Sequence, residues 1–172
     1  MTVLRTLTAV GLAATLLVGC NTDGSRTKGL VGTWTWKPRQ ILPSDAIRDE
    51  TPDEEWFRFE ADGHYLHVQK IPAYDVASPS VHVPEKFREW KGTWSIEGGQ
   101  LEMTTDQSSW WAAVHDPKGW RTEEAYQRGD GYAYRLQETP KSESKLEPVA
   151  TGDFARTLRR TTSPMPARPI VK

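Results

Sequence analysis

The chain has a single cysteine, Cys20, among its 172 residues. One thiol excludes an internal disulfide framework and a cysteine-rich zinc site. An excess of charge of either sign is missing too: 22 Lys and Arg stand against 23 Asp and Glu. No basic field is therefore present to hold a nucleic acid. Apolar residues make up only 37% of the chain, and mean hydropathy is −0.65. Those values exclude a polytopic helical membrane protein. Helical periodicity is scarce. There is no Gly-x-Ser-x-Gly elbow and no glycine-rich nucleotide loop.

What is present begins with one apolar segment. Met1 to Arg5 carry one positive charge, and Thr6 to Val18 follow as an apolar stretch. It has the length of a signal-peptide core and is too short for a stable bilayer anchor. It ends in Leu17-Val18-Gly19-Cys20. This ending resembles the lipobox of bacterial lipoproteins. The resemblance implies that residues 1–19 are a signal peptide and that the Cys20 sulfur receives a diacylglycerol. Two or three acyl chains hold a protein to a membrane far more firmly than one. The expected product is a domain on a lipid foot, in the cell envelope, facing the periplasm or cell exterior. Asn21 replaces the Asp that marks inner-membrane retention in Gram-negative members, which points to the outer membrane in such an organism.

After Cys20, residues 20–29 read as a polar, flexible tether. Residues 162–172, with Pro164, Pro166 and Pro169, read as a disordered tail. Between them, in 30–161, the dominant period is two. Trp90, Trp94 and Ile96 share a face; Lys91, Thr93, Ser95 and Glu97 share the other. Leu30 to Trp36, Trp56 to Glu60, Tyr65 to Gln69 and Leu101 to Thr104 alternate likewise, as do Trp110 to Val114, Tyr132 to Leu136 and Phe154 to Arg160. In 65–69 the apolar face is taken as Leu66 and Val68. Asp62-Gly63 and Gly98-Gly99 mark hairpin turns. The connections at 38–55, 72–87 and 116–130 are long, with single helical turns expected in Ser44 to Glu50 and Arg121 to Arg128. About eight short antiparallel strands must hide their edges. The predicted fold is all-β, a small up-and-down barrel, with a two-sheet sandwich as the alternative.

One motif repeats. Gly32-Thr33-Trp34-Thr35-Trp36 returns as Gly92-Thr93-Trp94-Ser95-Ile96. Gly32 and Gly92 let a strand bend or a neighbour approach, and a Trp two residues on fills the space. Leu30-Val31-Gly32-Thr33-Trp34, the aromatic hairpin over Trp56 to Val68, and the second Gly-x-Trp strand over Gly92 to Thr104 together resemble lipocalin-like lipoproteins. That resemblance covers roughly residues 30–105. It implies that an Arg of the last strand stacks on the motif Trp; Arg156, Arg159 and Arg160 are the candidates, and Arg160, in step with Phe154 and Leu158, is favoured for a cation–π contact with Trp34.

The chemistry is otherwise plain. His64 and His67 point to opposite faces of a strand and do not make a metal site. Asp53, Glu54 and Glu55 read as a solvated loop edge. No catalytic residue, metal or cofactor is assigned. Tryptophan carries the expected function, with eight residues against five Tyr and four Phe. Trp34, Trp36, Trp90 and Trp94 face inward by parity. Trp34, Trp36 and Trp94 are the candidate ligand-binding residues, for a small hydrophobic molecule held in the barrel. Trp56, Trp111 and Trp120 are candidates for an outward patch docking an envelope protein, as in an inhibitor or immunity-type lipoprotein. The favoured reading is a non-catalytic binder of a hydrophobic ligand. The alternative is the protein-interaction module.

Overall fold

The computed structural model describes residues 22–77, 80–112, 131–137, 142–149 and 154–166. Eight strands close an antiparallel barrel: β1 (Gly32–Trp36), β2 (Glu54–Phe59), β3 (His64–Ile71), β6 (Lys86–Glu97), β7 (Gln100–Ala112), β8 (Gly131–Gln137), β9 (Glu143–Pro148) and β10 (Arg156–Arg160). Each pairs with its neighbours in sequence, and β10 closes on β1 through Trp34 opposite Arg160. The fold is thus the expected all-β, up-and-down barrel. Closure leaves the main sheet without a terminal strand, with β7 paired to β8 over Gln100–Thr104.

Several elements differ from the sequence reading. The two strands expected at 101–104 and 110–114 are one continuous strand, β7. The eighth barrel strand is β9, whose sequence Glu-Ser-Lys-Leu-Glu-Pro offers only Leu146 as a large inward apolar side chain. The connection at 72–87 contains a separate hairpin of β4 (Tyr74–Ala77) and β5 (Ser80–Val83). The connection at 38–55 carries two single-turn helices, Pro38–Gln40 and Ser44–Ala46. The last strand starts at Arg156 rather than Phe154. The 116–130 connection, with its expected helical turn, lies outside the described residues.

Residues 22–30 are not a slack tether. Thr22–Leu30 form α1, and Leu30 is buried in the barrel core. Backbone N–H of Val31 closes the helix onto the Thr27 carbonyl at 3.2 Å. The helix caps the barrel end at which β1 begins. Its Arg26 lies against Gly99 in the β6–β7 turn at that same end. The opposite end, where β1 finishes at Trp36, is the mouth.

The core is aromatic. Trp34, Trp36, Phe57, Phe59, Tyr65, Trp90, Trp94 and Tyr134 join Leu101, Met103, Leu146 and Leu158 in one buried cluster. On β3 the inward face is Tyr65, His67, Gln69 and Ile71, opposite to the face assigned from sequence. Val68 points outward, yet is fully buried beside Trp56, with Leu66, Phe87 and Met165 packed against the pair. A strand covered on both faces gives no clean alternation, which is why periodicity chose the wrong side.

Candidate functional site

Trp34 and Trp94, each two residues after the Gly of its copy of the repeat, are structural. Trp34 donates its indole N–H to the Leu30 carbonyl at 2.7 Å. The Arg160 guanidinium lies over the same ring, 4.6 Å from its centroid, and donates to the Gly29 carbonyl at 2.7 Å. Arg160 therefore ties the last strand to the first strand and to the end of α1. Trp94 donates to the Glu60 carbonyl at 3.1 Å and meets Phe59 edge-on at 5.2 Å. Both rings belong to the capped half of the barrel. Trp36 is buried nearer the mouth and borders a hollow of about 260 Å³ with Lys37, Gln40, Ile41 and Arg159.

Toward the mouth the interior turns polar. Glu55 shares parity with Phe57 and Phe59 on β2, so it points inward and is only 1% exposed. It is not on a solvated loop edge. Three side chains converge on its carboxylate: His67 Nε2 at 3.0 Å, Gln69 Nε2 at 3.0 Å and Arg156 Nε at 3.2 Å. Burial pushes the Glu55 carboxyl up, but the Arg156 charge and the His67 contact outweigh it and leave the group below its ordinary value. Arg156 also donates to the Tyr134 hydroxyl at 3.0 Å and lies 5.1 Å from the centroid of Trp36. The imidazole of His67 is sandwiched, 4.1 Å from Phe57 and 4.8 Å from Trp90. This histidine does not decorate the surface, whereas His64 is exposed on the outer face.

Trp90 begins the mouth itself. A pocket of about 420 Å³ lies over it, lined further by Glu50, Lys86, Arg88, Ser108, Ser109 and Trp110. The register explains the grouping: Trp90 faces Ser108 and Arg88 faces Trp110 across β6 and β7. A bulge between Lys91 and Gly92 sets this end apart from the regular ladder below it. Trp90 and Ser108 are 8% and 7% exposed, yet the Trp90 Nε1 and the Ser108 Oγ have no hydrogen-bond partner among the described residues. A buried polar atom left unpaired costs about 1–3 kcal/mol. These two atoms, like Trp36 Nε1, are sealed inside the wall and do not open onto the pocket.

No protein-family model matches the chain, and no curated protein matches it in sequence. The site is therefore read from its own geometry.

The structure gathers only part of the sequence-stated candidates. Trp34, Trp36 and Trp94 are buried core residues, and the mouth pocket is built around Trp90 and Trp110 instead. Trp56 is on the outer wall, as parity requires, but is 8% exposed under Met165 and Phe87 and offers no bare docking surface. Trp111 pairs with Phe87 in the ladder, and Trp120 lies outside the described residues. Gly92 sits against the Thr104 carbonyl with no room for a Cβ, while Gly32 adopts φ +133° beneath Arg160. Among the described residues no group of three His, Cys, Asp or Glu side chains is placed to hold a metal ion, and no helix is long and apolar enough to cross a membrane.

Proposed function

We propose that the protein is a membrane-anchored, non-catalytic lipoprotein of lipocalin-like build that binds a small ligand with an apolar body at the barrel mouth. The observation that carries this reading is the pocket of about 420 Å³ walled by Trp90 and Trp110, with the charged side chains of Glu50, Lys86 and Arg88 at its rim. That volume falls in the range of small-molecule sites, and flat aromatic walls with a few polar groups suit an amphipathic guest. The lipobox-like Leu17-Val18-Gly19-Cys20 supports an acyl anchor on Cys20 and a location in the cell envelope. Cys20 lies two residues before α1, which caps the far end of the barrel. An anchor there turns the mouth away from the bilayer.

Intrinsic tryptophan fluorescence, titrated with fatty acids and with aromatic ligands, tests the pocket. Binding is expected to quench or shift the emission, and Trp90→Phe is expected to remove most of that change. No response to any ligand would overturn the reading. Cys20→Ala tests the anchor: the variant should leave the membrane fraction, and unchanged partition would refute lipidation.

A further inference from the structure

The mouth pocket carries two cations on one strand. Lys86, Arg88, Trp90, Ser108, Ser109 and Trp110 line it, and its one carboxylate is that of Glu50. Glu50 comes from the connection between the second single-turn helix and β2, not from the barrel wall. Its two oxygens are gripped separately: Lys86 Nζ reaches Oε1 at 2.9 Å and Arg88 Nη2 reaches Oε2 at 2.8 Å. Lys86 and Arg88 stand two apart on β6, on a wall that does not depend on the loop. A two-point clamp of this kind fits the planar fork of a carboxylate. Glu50 remains 53% exposed while it fills the clamp, so it is held at the rim and not locked into the core.

We propose that Glu50 is a built-in stand-in for the ligand's own acid group: the pocket takes a small organic carboxylate, which displaces Glu50 from Lys86 and Arg88 and lays its apolar body against Trp90 and Trp110. The inference rests on the mouth-pocket reading above and adds the ligand's charge and the exchange. Free of ligand, Glu50 keeps the two cations paired. With ligand bound, the Glu50 side chain leaves the rim while Arg39 keeps its connection in place through the carbonyls of Arg48 and Thr51.

Calorimetric titration of the purified protein with 2-naphthoate and with the neutral 2-naphthalenemethanol tests this directly. The carboxylate is expected to bind about tenfold tighter than the alcohol, the scale of a charge-assisted clamp at a half-exposed site. Glu50→Gln removes the internal competitor and is expected to raise that preference by about a further fivefold. Arg88→Gln is expected to erase it. Equal binding of the two probes, or a preference unmoved by Glu50→Gln, would overturn the exchange while leaving the pocket intact. Failure of both probes to bind would overturn the pocket reading as well. Glu50 is largely solvated, so its Gln variant folds and carries the test should Arg88→Gln not fold.

Discussion

Arg156 on the last barrel strand reaches Glu55 on the second, Nε to Oε2 at 3.2 Å, across 101 residues of chain. Both are nearly fully buried. Removing one partner leaves the other as a buried, uncompensated charge, which costs more than the pair contributes. Arg156→Met should destabilise the barrel by about 3–5 kcal/mol, and the double variant Glu55→Gln, Arg156→Met should recover part of that loss. Urea unfolding measures both. The pH dependence follows in sign. The folded pKa of Glu55 is held below its unfolded value, so its contribution is complete above the ordinary carboxylate range. It is lost as pH falls through the folded value. Acid titration of stability should be flatter in Glu55→Gln than in the parent protein.

Tyr65 gives the opposite edge. Burial pushes its phenol up to about 12, against the smaller opposing effect of its 2.7 Å hydrogen bond with Thr105. A folded pKa raised above the unfolded value of 10.0 means stability that is complete below pH 10 and declines as pH rises toward 12. The full swing is on the order of 2–3 kcal/mol. Tyr65→Phe should lose about 1 kcal/mol at neutral pH, from the broken hydrogen bond, and should lack most of the decline between those two values. Denaturant midpoints at a series of alkaline pH values decide it.

The glycines of the two Gly-Thr-Trp copies are needed for different reasons, and alanine separates them. At Gly92 an added Cβ would run into the backbone carbonyl of Thr104 on the paired strand, which cannot move without breaking the bulged ladder. At Gly32 the Cβ would fall 2.8 Å from Arg160 Nη1, the far end of a flexible side chain, with a φ of +133° adding strain. Gly92→Ala is expected to prevent or severely weaken folding. Gly32→Ala should cost about 1–3 kcal/mol and release Arg160 from Trp34. A thermal melt that ranks Gly32→Ala as the worse variant would contradict this account.

The barrel was legible because half-buried antiparallel strands write period two, and Trp90 to Glu97 does so without a fault. The contact of Arg160 with Trp34 was legible through the resemblance carried by Leu30 to Trp34, whereas the α1 cap was not, because residues 20–29 are polar and small and read as a tether. Glu55 was not legible as an interior residue because it ends an acidic run, Asp53-Glu54-Glu55, that reads as solvent-facing. The available signal was parity, since Glu55 lies in step with Phe57 and Phe59. His67 was hidden by the double coverage of β3, where Val68 is buried on the outer face and Tyr65 on the inner. The mouth pocket depends on residues brought together from the connection at Glu50 and two strands. No local pattern announces such a meeting. Its one sequence trace is the pair Lys86 and Arg88 in step with Trp90.

Met165 shows that the chain after β10 is used. Its side chain packs against Trp56 and Val68 on the outer wall, with Leu66 and Phe87 beside it. Truncation after Ser163 removes that cover. The expected result is a loss of about 1–3 kcal/mol, a red-shifted tryptophan emission and a new tendency to self-associate, since an uncovered apolar patch seeks a partner. Unchanged emission would mean that Trp56 does not depend on Met165 for its burial.

An acyl anchor on Cys20 would set which way the barrel points, and that can be measured with one thiol at a time. If Cys20 is acylated, a cysteine introduced elsewhere is the free thiol of the chain, because the natural sequence has no other. Glu97 is exposed beside the β6–β7 turn, at the end capped by α1. Ile41 is 60% exposed on the connection that leaves the mouth. Spin labels on Glu97→Cys and Ile41→Cys, read in vesicles carrying a paramagnetic chelate on their lipid headgroups, should behave differently. The label at 97 should relax faster, being held near the surface by the short distance from Cys20 to α1. The label at 41 should be little affected, since the barrel stands between it and the bilayer. The reverse order would place the mouth against the membrane. A ligand would then have to enter from the lipid, and the carboxylate clamp formed by Lys86 and Arg88 would face headgroups instead of solvent.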